Sequence, residues 1–155
     1  MTVNVLFVCL GNICRSPMAE AVFREAVADA GLAEEFEIDS AGTSSWHLGE
    51  PPCAGTRQVL EHNGIRYDGR AQQVSAQAMA DPRTYVLAMD KQNLRDLRRR
   101  FGDRPRLGLL LDYAIETDVR EVPDPYYEGG FDYVYELIAD GCAGLLVALR
   151  EQEGL

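Results

Sequence analysis

Lysine is nearly absent from this 155-residue sequence, in which Lys91 is the only one. The 15 basic residues are outnumbered by 25 acidic ones, which gives a formal net charge of −10 at pH 7. Binding to a nucleic-acid backbone requires a basic surface, so we expect no nucleic-acid partner. The acidic charge does not prevent a local anion site, because salt screens exposed charges beyond about 10 Å.

Long hydrophobic runs are also lacking. No stretch approaches the roughly 18 consecutive apolar residues of a membrane-spanning helix. The N-terminus has neither the basic segment nor the apolar core of a secretory signal. We therefore expect a cytoplasmic protein without a membrane partner. A chain of this length usually forms one domain, which we place over residues 1–155.

The four cysteines include no C-x-x-C pair and lie far from any histidine pair with metal-ligand spacing. We therefore expect reduced cysteines and no metal site. The nucleotide-binding patterns G-x-G-x-x-G and G-x-x-x-x-G-K-[ST] are absent, and we expect no cofactor. Cys9 and Cys14 lie in one short loop, and two interpretations of Cys14 stay open: a protective disulfide with Cys9, or an inert packed thiol.

The most informative stretch is a strand pattern, a loop and a helix start near the N-terminus. Residues 3–8 form a short apolar run that is typical of a buried parallel strand. Ser16 and Pro17 suit the N-cap and the first position of a helix, after which apolar residues recur at helical spacing. The loop between them has the pattern Cys-x5-Arg and reads Cys9-Leu-Gly-Asn-Ile-Cys-Arg15.

This loop has the composition of an anion-binding site. Its backbone N–H groups can converge before the helix N-terminus, Gly11 permits the turn, and the Arg15 guanidinium matches two phosphate oxygens. In that field the thiol of Cys9 is expected to ionise and to act as a nucleophile. The predicted phosphate-binding residues are Leu10, Gly11, Asn12, Ile13, Cys14, Arg15 and Ser16. The alternative, a buried cysteine ending a core strand beside a solvent-exposed arginine, leaves the composition of the loop unexplained.

Four segments of the sequence resemble the low-molecular-weight protein tyrosine phosphatases. They are V-C-L-G-N-I-C-R-S-P-M-A-E-A from residue 8, D-S-A-G-T at 39–43, M-D-K-Q-N-L-R-D-L at 89–97 and D-P-Y-Y at 124–127. These segments span nearly the whole chain in the order of the family. The resemblance implies hydrolysis of phosphomonoesters through a cysteinyl-phosphate intermediate.

The rest of the chain alternates strand and helix patterns. Further strands are predicted over residues 36–40, 85–89 and 107–111, and further helices over 51–63, 75–80, 92–100 and 131–151. Together with the resemblance, this pattern implies a flavodoxin-like α/β fold. Its four-stranded parallel sheet has the order 2-1-3-4, with helices on both faces and the Cys-x5-Arg loop where the strand order reverses.

A second candidate element for catalysis is the stretch Val122-Pro-Asp-Pro-Tyr-Tyr127. Two prolines flank Asp124 and hold it in an extended, rigid loop. Its carboxyl group can protonate a leaving phenolate and then accept a proton from the attacking water. The alternative is a proline-stiffened turn without chemistry. Tyr126 and Tyr127 are expected at the mouth of the cleft, and whether either is phosphorylated, as in relatives, stays open.

Other residues are expected to support or line the cleft. The resemblance implies that Ser40 hydrogen-bonds Asn12 and thereby holds the loop. Trp46 lies in a loop after a strand and either walls the cleft or anchors that loop to the core. The side chain of Ile13 is expected to face the leaving group. His47 is given no role.

One position departs from the family. Many members place a histidine near residue 69, where it hydrogen-bonds the asparagine of the loop, and Gly69 cannot do so. Water, Gln72 or Gln73 can take its place, or the loop is held more loosely.

The expected partners are a phosphotyrosine-containing protein or peptide and small aryl phosphates, with inorganic phosphate as product. Two rival functions remain. A thioredoxin-coupled arsenate reductase shares the loop but needs further cysteines, and none occurs between residues 54 and 141. A non-catalytic phosphate-binding module would need Arg15 but could dispense with Cys9 and Asp124, both of which are present.

Overall fold

The computed structural model describes residues 2–155, so Met1, the first residue of the predicted domain, lies outside the described part. Within that part, four strands form a parallel sheet: β1 (Val3–Cys9), β2 (Phe36–Gly42), β3 (Tyr85–Ala88) and β4 (Leu107–Leu109). The sheet has the order β2-β1-β3-β4. The predicted flavodoxin-like fold and its 2-1-3-4 strand order are therefore confirmed.

Five α-helices of the described residues surround this sheet: α1 (Arg15–Asp29), α2 (Ala54–His62), α3 (Lys91–Phe101), α4 (Pro125–Glu128) and α5 (Phe131–Glu153). Short 3-10 helices occur at Ala33–Glu35 and Leu110–Tyr113. No helix among residues 2–155 combines the length and the apolar character needed to cross a membrane.

Strand β1 is buried along most of its length because helices cover both faces of the sheet. Successive side chains of a strand point to opposite faces. Phe7 accordingly packs in the cluster that contains Phe23 of α1 and Leu145 of α5. Val8 packs in the other cluster, with Leu97 of α3. Strand β1 thus contributes to both halves of the core and ends at the edge where the loop begins.

Helix α1 begins at Arg15, the last residue of the Cys-x5-Arg loop, and ends at Asp29, shortly before Gly31. Gly31 has φ 74°, a left-handed conformation that glycine adopts without strain. The N–H of Leu32 bonds Val27 O at 2.8 Å and closes the last turn. The C-terminal end of α1 is therefore set by this glycine.

Two predicted elements are wrong, and most of the other predicted elements differ from the observed ones at one or both ends. Residues 75–80 form turns rather than a helix, because a segment this short gains too few hydrogen bonds to offset helix nucleation. The predicted strand 107–111 ends at Leu109 and continues as a 3-10 helix, since a short apolar run does not distinguish strand from helix. Helix α2 begins at Ala54, after the two prolines. A helical turn, α4, replaces part of the predicted loop at 122–127.

Candidate active site

Helix α1 begins without a side-chain cap. Its N-cap position is Cys14, whose side chain makes no capping hydrogen bond, so the prediction that Ser16 is the N-cap is wrong. The hydroxyl of Ser16 instead faces the loop, and its Oγ lies 3.0 Å from Cys9 Sγ. The N–H groups of an uncapped helix N-terminus are available to an anion.

Cys9 is the last residue of β1 and is 3% exposed. Its Sγ accepts a hydrogen bond from the backbone N–H of Asn12 at 3.3 Å and lies beside the hydroxyl of Ser16. Donors that point at the sulfur stabilise a thiolate more than a thiol. The Cys9 sulfur thus lies at the base of the loop, in contact with a backbone N–H and a hydroxyl group.

Asn12 ties the loop to its neighbours. Its φ is 55°, which is uncommon for a residue other than glycine. Its Nδ2 donates to Ser16 Oγ at 2.7 Å and to Ser40 Oγ at 3.0 Å. Its Oδ1 accepts the backbone N–H of Gln72 at 2.9 Å. Asn12 is therefore bonded by the backbone N–H of Gln72 and not by a glutamine side chain. This bond takes the place of the one that a histidine near residue 69 makes in many family members.

Glu20 is a buried carboxyl group beneath the loop, and the sequence patterns do not identify it as a functional residue. Its Oε1 accepts hydrogen bonds from Ser40 Oγ at 2.6 Å and from Tyr67 OH at 2.8 Å. Burial raises the pKa of Glu20, although the Ser40 hydrogen bond and the Arg24 charge offset part of that rise. The sequence feature that could have pointed to Glu20 is its spacing from Ser16, because residues four apart lie on the same face of a helix.

Arg15 is 2% exposed and lies at the centre of a charge network. Its Nη1 donates to Asp90 Oδ2 at 2.6 Å and to Val122 O at 2.9 Å, and its Nη2 donates to Asp124 Oδ2 at 3.4 Å. Burial acts to lower the pKa of Arg15, but the charges of Cys9 and of the carboxylates raise it. The guanidinium is thus held charged and fixed in orientation.

Asp90 makes a different interaction with each of its two carboxylate oxygens. The sequence patterns did not identify it as functional. Its Oδ2 holds Arg15, and its Oδ1 accepts the backbone N–H of Asn93 at 2.8 Å in a capping box at the start of α3. The available signal was its position directly after a buried strand. The carboxyl ends of neighbouring parallel strands meet at one edge of the sheet.

Asp124 is the N-cap of α4, with φ −86° and ψ 106°. Its extended backbone agrees with the constraint expected from its flanking prolines. One oxygen, Oδ1, accepts the N–H of Tyr126 at 3.1 Å, and the other lies near Arg15. The carboxyl group is partly exposed at the rim of the cleft, where a leaving group and water can both reach it.

An open cleft lies above the loop. Its base is formed by loop residues that include Cys9, Ile13 and Arg15, and its walls by Trp46, His47, Asp124, Tyr126 and Tyr127. Trp46 and Tyr127 are 68% and 67% exposed, so the tryptophan does not anchor its loop in the core. Asn12, Ser16 and Ser40 are buried, and Asn12 Nδ2 donates to the hydroxyl groups of both serines.

His47 belongs to this cleft, although the sequence gave no reason to assign it a role. A Cβ atom added at Gly11 would lie 3.0 Å from His47 Cδ2, so the imidazole packs directly on the loop. Its Nδ1 lies 3.0 Å from Glu50 Oε2, and its ring centroid is 5.6 Å from that of Tyr126. The sequence feature that could have placed His47 in the cleft is its position next to Trp46.

Cys14 forms a disulfide with Cys53. Both interpretations that the sequence left open for Cys14, a bond to Cys9 and an inert thiol, are therefore wrong, and so is the expectation that every cysteine is reduced. Cys9 and Cys142 are free. The pairing arises because the segment before α2 packs against the loop, where Cys53 N–H donates to Ile13 O at 2.7 Å.

No group of three or more histidine, cysteine, aspartate or glutamate side chains in the described part of the chain is arranged to hold a metal ion. The cleft brings together the sulfur of Cys9, the guanidinium of Arg15, backbone N–H groups of the loop and the carboxyl group of Asp124. Together they suit nucleophilic attack on a bound oxyanion followed by proton transfer.

Known proteins are similar to this chain in sequence and in fold. Residues 4–154 match the family model of the low molecular weight phosphotyrosine protein phosphatase. The chain is 47% identical to the low molecular weight protein-tyrosine-phosphatase YfkJ of Bacillus subtilis over 99% of both chains. It is 46% identical to a low molecular weight protein-tyrosine-phosphatase of Streptomyces coelicolor, with 98% of this chain and 96% of that one covered.

Solved structures show the same similarity. The crystal structure of YfkJ aligns with a TM-score of 0.93 at 46% identity, covering 98% of this chain and 97% of that one. The crystal structure of a drosophila arginine phosphatase aligns with a TM-score of 0.85 at 34% identity, covering 94% and 97% of the two chains.

Proposed function

This chain is a phosphatase of the low molecular weight phosphotyrosine protein phosphatase family, and we propose that it hydrolyses phosphotyrosine in proteins or peptides, and small aryl phosphates, through a cysteinyl-phosphate. No metal ion takes part in the proposed reaction. The observation that carries the proposal is the convergence of Cys9, Arg15 and Asp124 on one cleft. These residues come from β1, the start of α1 and the start of α4.

In the first step, Cys9 Sγ attacks phosphorus and the bond from phosphorus to the phenolic oxygen breaks. Arg15 and the loop N–H groups stabilise the charge on the equatorial oxygens. Asp124 acts as the general acid and donates a proton to the departing oxygen. Asp90 keeps the Arg15 guanidinium in place through the 2.6 Å ion pair.

In the second step, water attacks the cysteinyl-phosphate and the sulfur–phosphorus bond breaks. The Asp124 carboxylate accepts the proton of the water, and inorganic phosphate is the product. The Ser16 hydroxyl, 3.0 Å from Cys9 Sγ, donates a hydrogen bond to the departing thiolate. Asn12 holds the Ser16 hydroxyl in place, and Ser40 in turn holds Asn12.

The walls of the cleft favour an aromatic leaving group. Ile13 provides an apolar surface close to the sulfur, and Trp46, Tyr126 and Tyr127 provide aromatic surfaces farther out. A phenyl ring stacks on such surfaces without needing polar partners.

A second candidate substrate is phosphoarginine, because one similar solved structure is that of an arginine phosphatase. Ile13 lines the cleft, and an isoleucine side chain offers no hydrogen bond to a guanidinium. We therefore place phosphotyrosine first.

Substitution of the nucleophile tests the mechanism. Cys9→Ser is expected to lower turnover of p-nitrophenyl phosphate and of a phosphotyrosine peptide by about 10⁴-fold or more, because an unactivated hydroxyl stays protonated at neutral pH. Vanadate binding, measured by calorimetry, should persist because the loop N–H groups and Arg15 are unchanged. Rapid quenching of the wild type with the peptide should place one phosphoryl group on the peptide that contains Cys9.

EDTA should leave the wild-type rate unchanged, and arsenate with a thioredoxin system should give no arsenite. Turnover by Cys9→Ser near the wild-type rate would overturn the cysteinyl-phosphate mechanism. Loss of wild-type turnover in EDTA would overturn metal independence. Absence of wild-type turnover with retained vanadate binding would favour a non-catalytic phosphate-binding module.

A further inference from the structure

We propose that Cys14 and Cys53 form a reversible disulfide site that competes with Cys9 for Cys14 and so keeps the nucleophile free when the chain is oxidised. The structure contains the Cys14–Cys53 bond and a free Cys9. The consequence for activity rests on the proposed function, in which Cys9 attacks phosphorus. The pairing itself does not depend on that function.

Contacts that involve no sulfur hold the two cysteines face to face. Cys53 N–H donates to Ile13 O at 2.7 Å, and Thr56 Oγ1 donates to Cys14 O at 2.9 Å. The Cα atoms of the two cysteines are 5.4 Å apart, within the usual range for a disulfide. Because these hydrogen bonds do not need the disulfide, the reduced chain is expected to keep both thiols in position to react.

The two sulfurs differ in access. Cys14 is 3% exposed, whereas Cys53 is only partly buried. Of these two sulfurs, a small oxidant therefore reaches Cys53 before Cys14, and the thiolate of the buried Cys14 then completes the disulfide. The sulfur of Cys53 also lies 3.4 Å from Thr56 Oγ1, which fixes it on the side of the loop that faces α2.

The chemistry balances with a low-molecular-weight disulfide as oxidant. The Cys53 thiolate attacks one sulfur of that disulfide, which forms a mixed disulfide and releases one thiol. The Cys14 thiolate then attacks the Cys53 sulfur, so the protein disulfide forms and the second small thiol leaves. Two protein thiols lose two electrons and two protons, and the small disulfide becomes two thiols.

Cys9 is left without a partner when Cys14 is occupied. Its sulfur faces the cleft and is hydrogen-bonded to Asn12 N–H and adjacent to Ser16 Oγ. The remaining cysteine, Cys142, is buried against α1, where its Sγ lies 3.7 Å from Ala19 O. The Cys14–Cys53 bond therefore prevents a Cys9–Cys14 disulfide, which would remove the nucleophile.

The test starts from the fully reduced 155-residue protein, treated with one equivalent of diamide. The azo bond of diamide takes up two electrons and two protons, leaving no lasting adduct. Remaining thiols are then blocked with N-ethylmaleimide in denaturant, and the peptides are mapped by mass spectrometry. The wild type should show a Cys14–Cys53 linkage and a blocked Cys9, with turnover of p-nitrophenyl phosphate retained within about twofold.

The Cys53→Ser variant should have wild-type turnover before oxidation and lose at least about tenfold after it. Its map should show a Cys9–Cys14 linkage, and dithiothreitol should restore the activity. Cys142→Ala, which removes a thiol that takes no part, should behave as the wild type.

A Cys9–Cys14 linkage in the oxidised wild type, or unchanged activity of oxidised Cys53→Ser, would overturn the proposal. A protein without turnover before oxidation would overturn the proposed function instead. In that case, the peptide map would still decide which cysteine pairs with Cys14.

Discussion

Both the backbone and the carboxyl group of Asp124 are held in place by neighbouring residues. Its backbone is fixed by Pro125 and by the cap it makes to the N–H of Tyr126 at 3.1 Å, while its Oδ2 faces Arg15. A side chain held in this way is suited to transferring a proton at a defined point of the cleft. Its contribution is measurable because asparagine keeps the shape and the cap but carries no transferable proton.

Asp124→Asn is expected to lower kcat for aryl phosphates by about 10² to 10⁴-fold, the span usual for a general acid. The loss should shrink as the pKa of the leaving group falls, because a more stable phenolate needs less protonation. A series of substituted phenyl phosphates measures this dependence. Glu128→Gln, an exposed change in the same helix, is the control, and an equal loss on all leaving groups would refute the role.

We expect Ile13, which lines the cleft, to decide between the two candidate substrates. A guanidinium leaving group would lose water at this apolar wall without gaining a partner, a penalty of order 1 to 3 kcal/mol. Ile13→Thr is therefore expected to shift the ratio of kcat/KM from phosphotyrosine toward phosphoarginine by about 10- to 100-fold. Peptides of matched sequence provide the measurement, with Ile13→Val as the control.

Wild-type activity on phosphoarginine that equals or exceeds its activity on phosphotyrosine would contradict this prediction. A shift of the same size in Ile13→Val would show that volume rather than the missing hydroxyl decides the preference.

At the scale of elements, the close approach of β2 to the loop shapes the phosphate-binding site. Cys9 and Gly42 are opposite each other in the parallel pairing of β1 with β2. A Cβ atom at Gly42 would lie 2.8 Å from Leu10 O and 3.1 Å from Asn12 N, both backbone atoms. The end of one strand thus needs glycine so that the loop after the other can close over it.

Gly42→Ala is expected to displace the loop and lower kcat by about 10- to 100-fold, because a misplacement of tenths of an ångström affects attack geometry. Circular dichroism should show an unchanged fold. Gly108→Ala is the matched control, since a Cβ there has only Asp112 Oδ2 nearby, at 3.8 Å. Wild-type kinetics for Gly42→Ala would show that the loop tolerates the contact.

For the whole molecule, we propose that residues 1–155 form one domain with one sheet shared by both halves of the core. The chain is expected to unfold in one cooperative transition in urea. The buried carboxyl of Glu20 links this transition to pH. Because burial raises its pKa, the folded protein holds this proton more tightly than the unfolded chain does.

The sign follows from that linkage. The contribution of Glu20 to stability is fully present below the ordinary glutamate pKa of about 4.3 and is lost as the pH rises through the raised folded value. The free energy of unfolding of the wild type, relative to Glu20→Gln, should therefore fall as pH rises through this window. Urea titrations at a series of pH values measure the difference.

Glu25→Gln, an exposed change on the same helix, should show no such trend relative to the wild type. A wild type that gains stability relative to Glu20→Gln as the pH rises would contradict the direction of the shift.

The sequence by itself determined those features of the protein that are formed by residues close together in the chain. The Cys-x5-Arg loop, the strand before it and the helix after it form one continuous stretch, so their spacing places the Cys9 sulfur beside the N–H groups of the loop. The strand and helix periodicities specify the parallel sheet because both faces of β1 are buried. The two prolines specify the extended backbone of Asp124 for the same local reason.

Only the tertiary structure decided which distant segments complete the site. Arg15 and Asp90 are 75 residues apart, and Cys14 and Cys53 are 39 apart. The bond from Gln72 N–H to Asn12 spans 60 residues, and a backbone N–H carries no signal in the sequence. Such contacts are set by where the carboxyl ends of parallel strands converge, and no local spacing encodes that convergence.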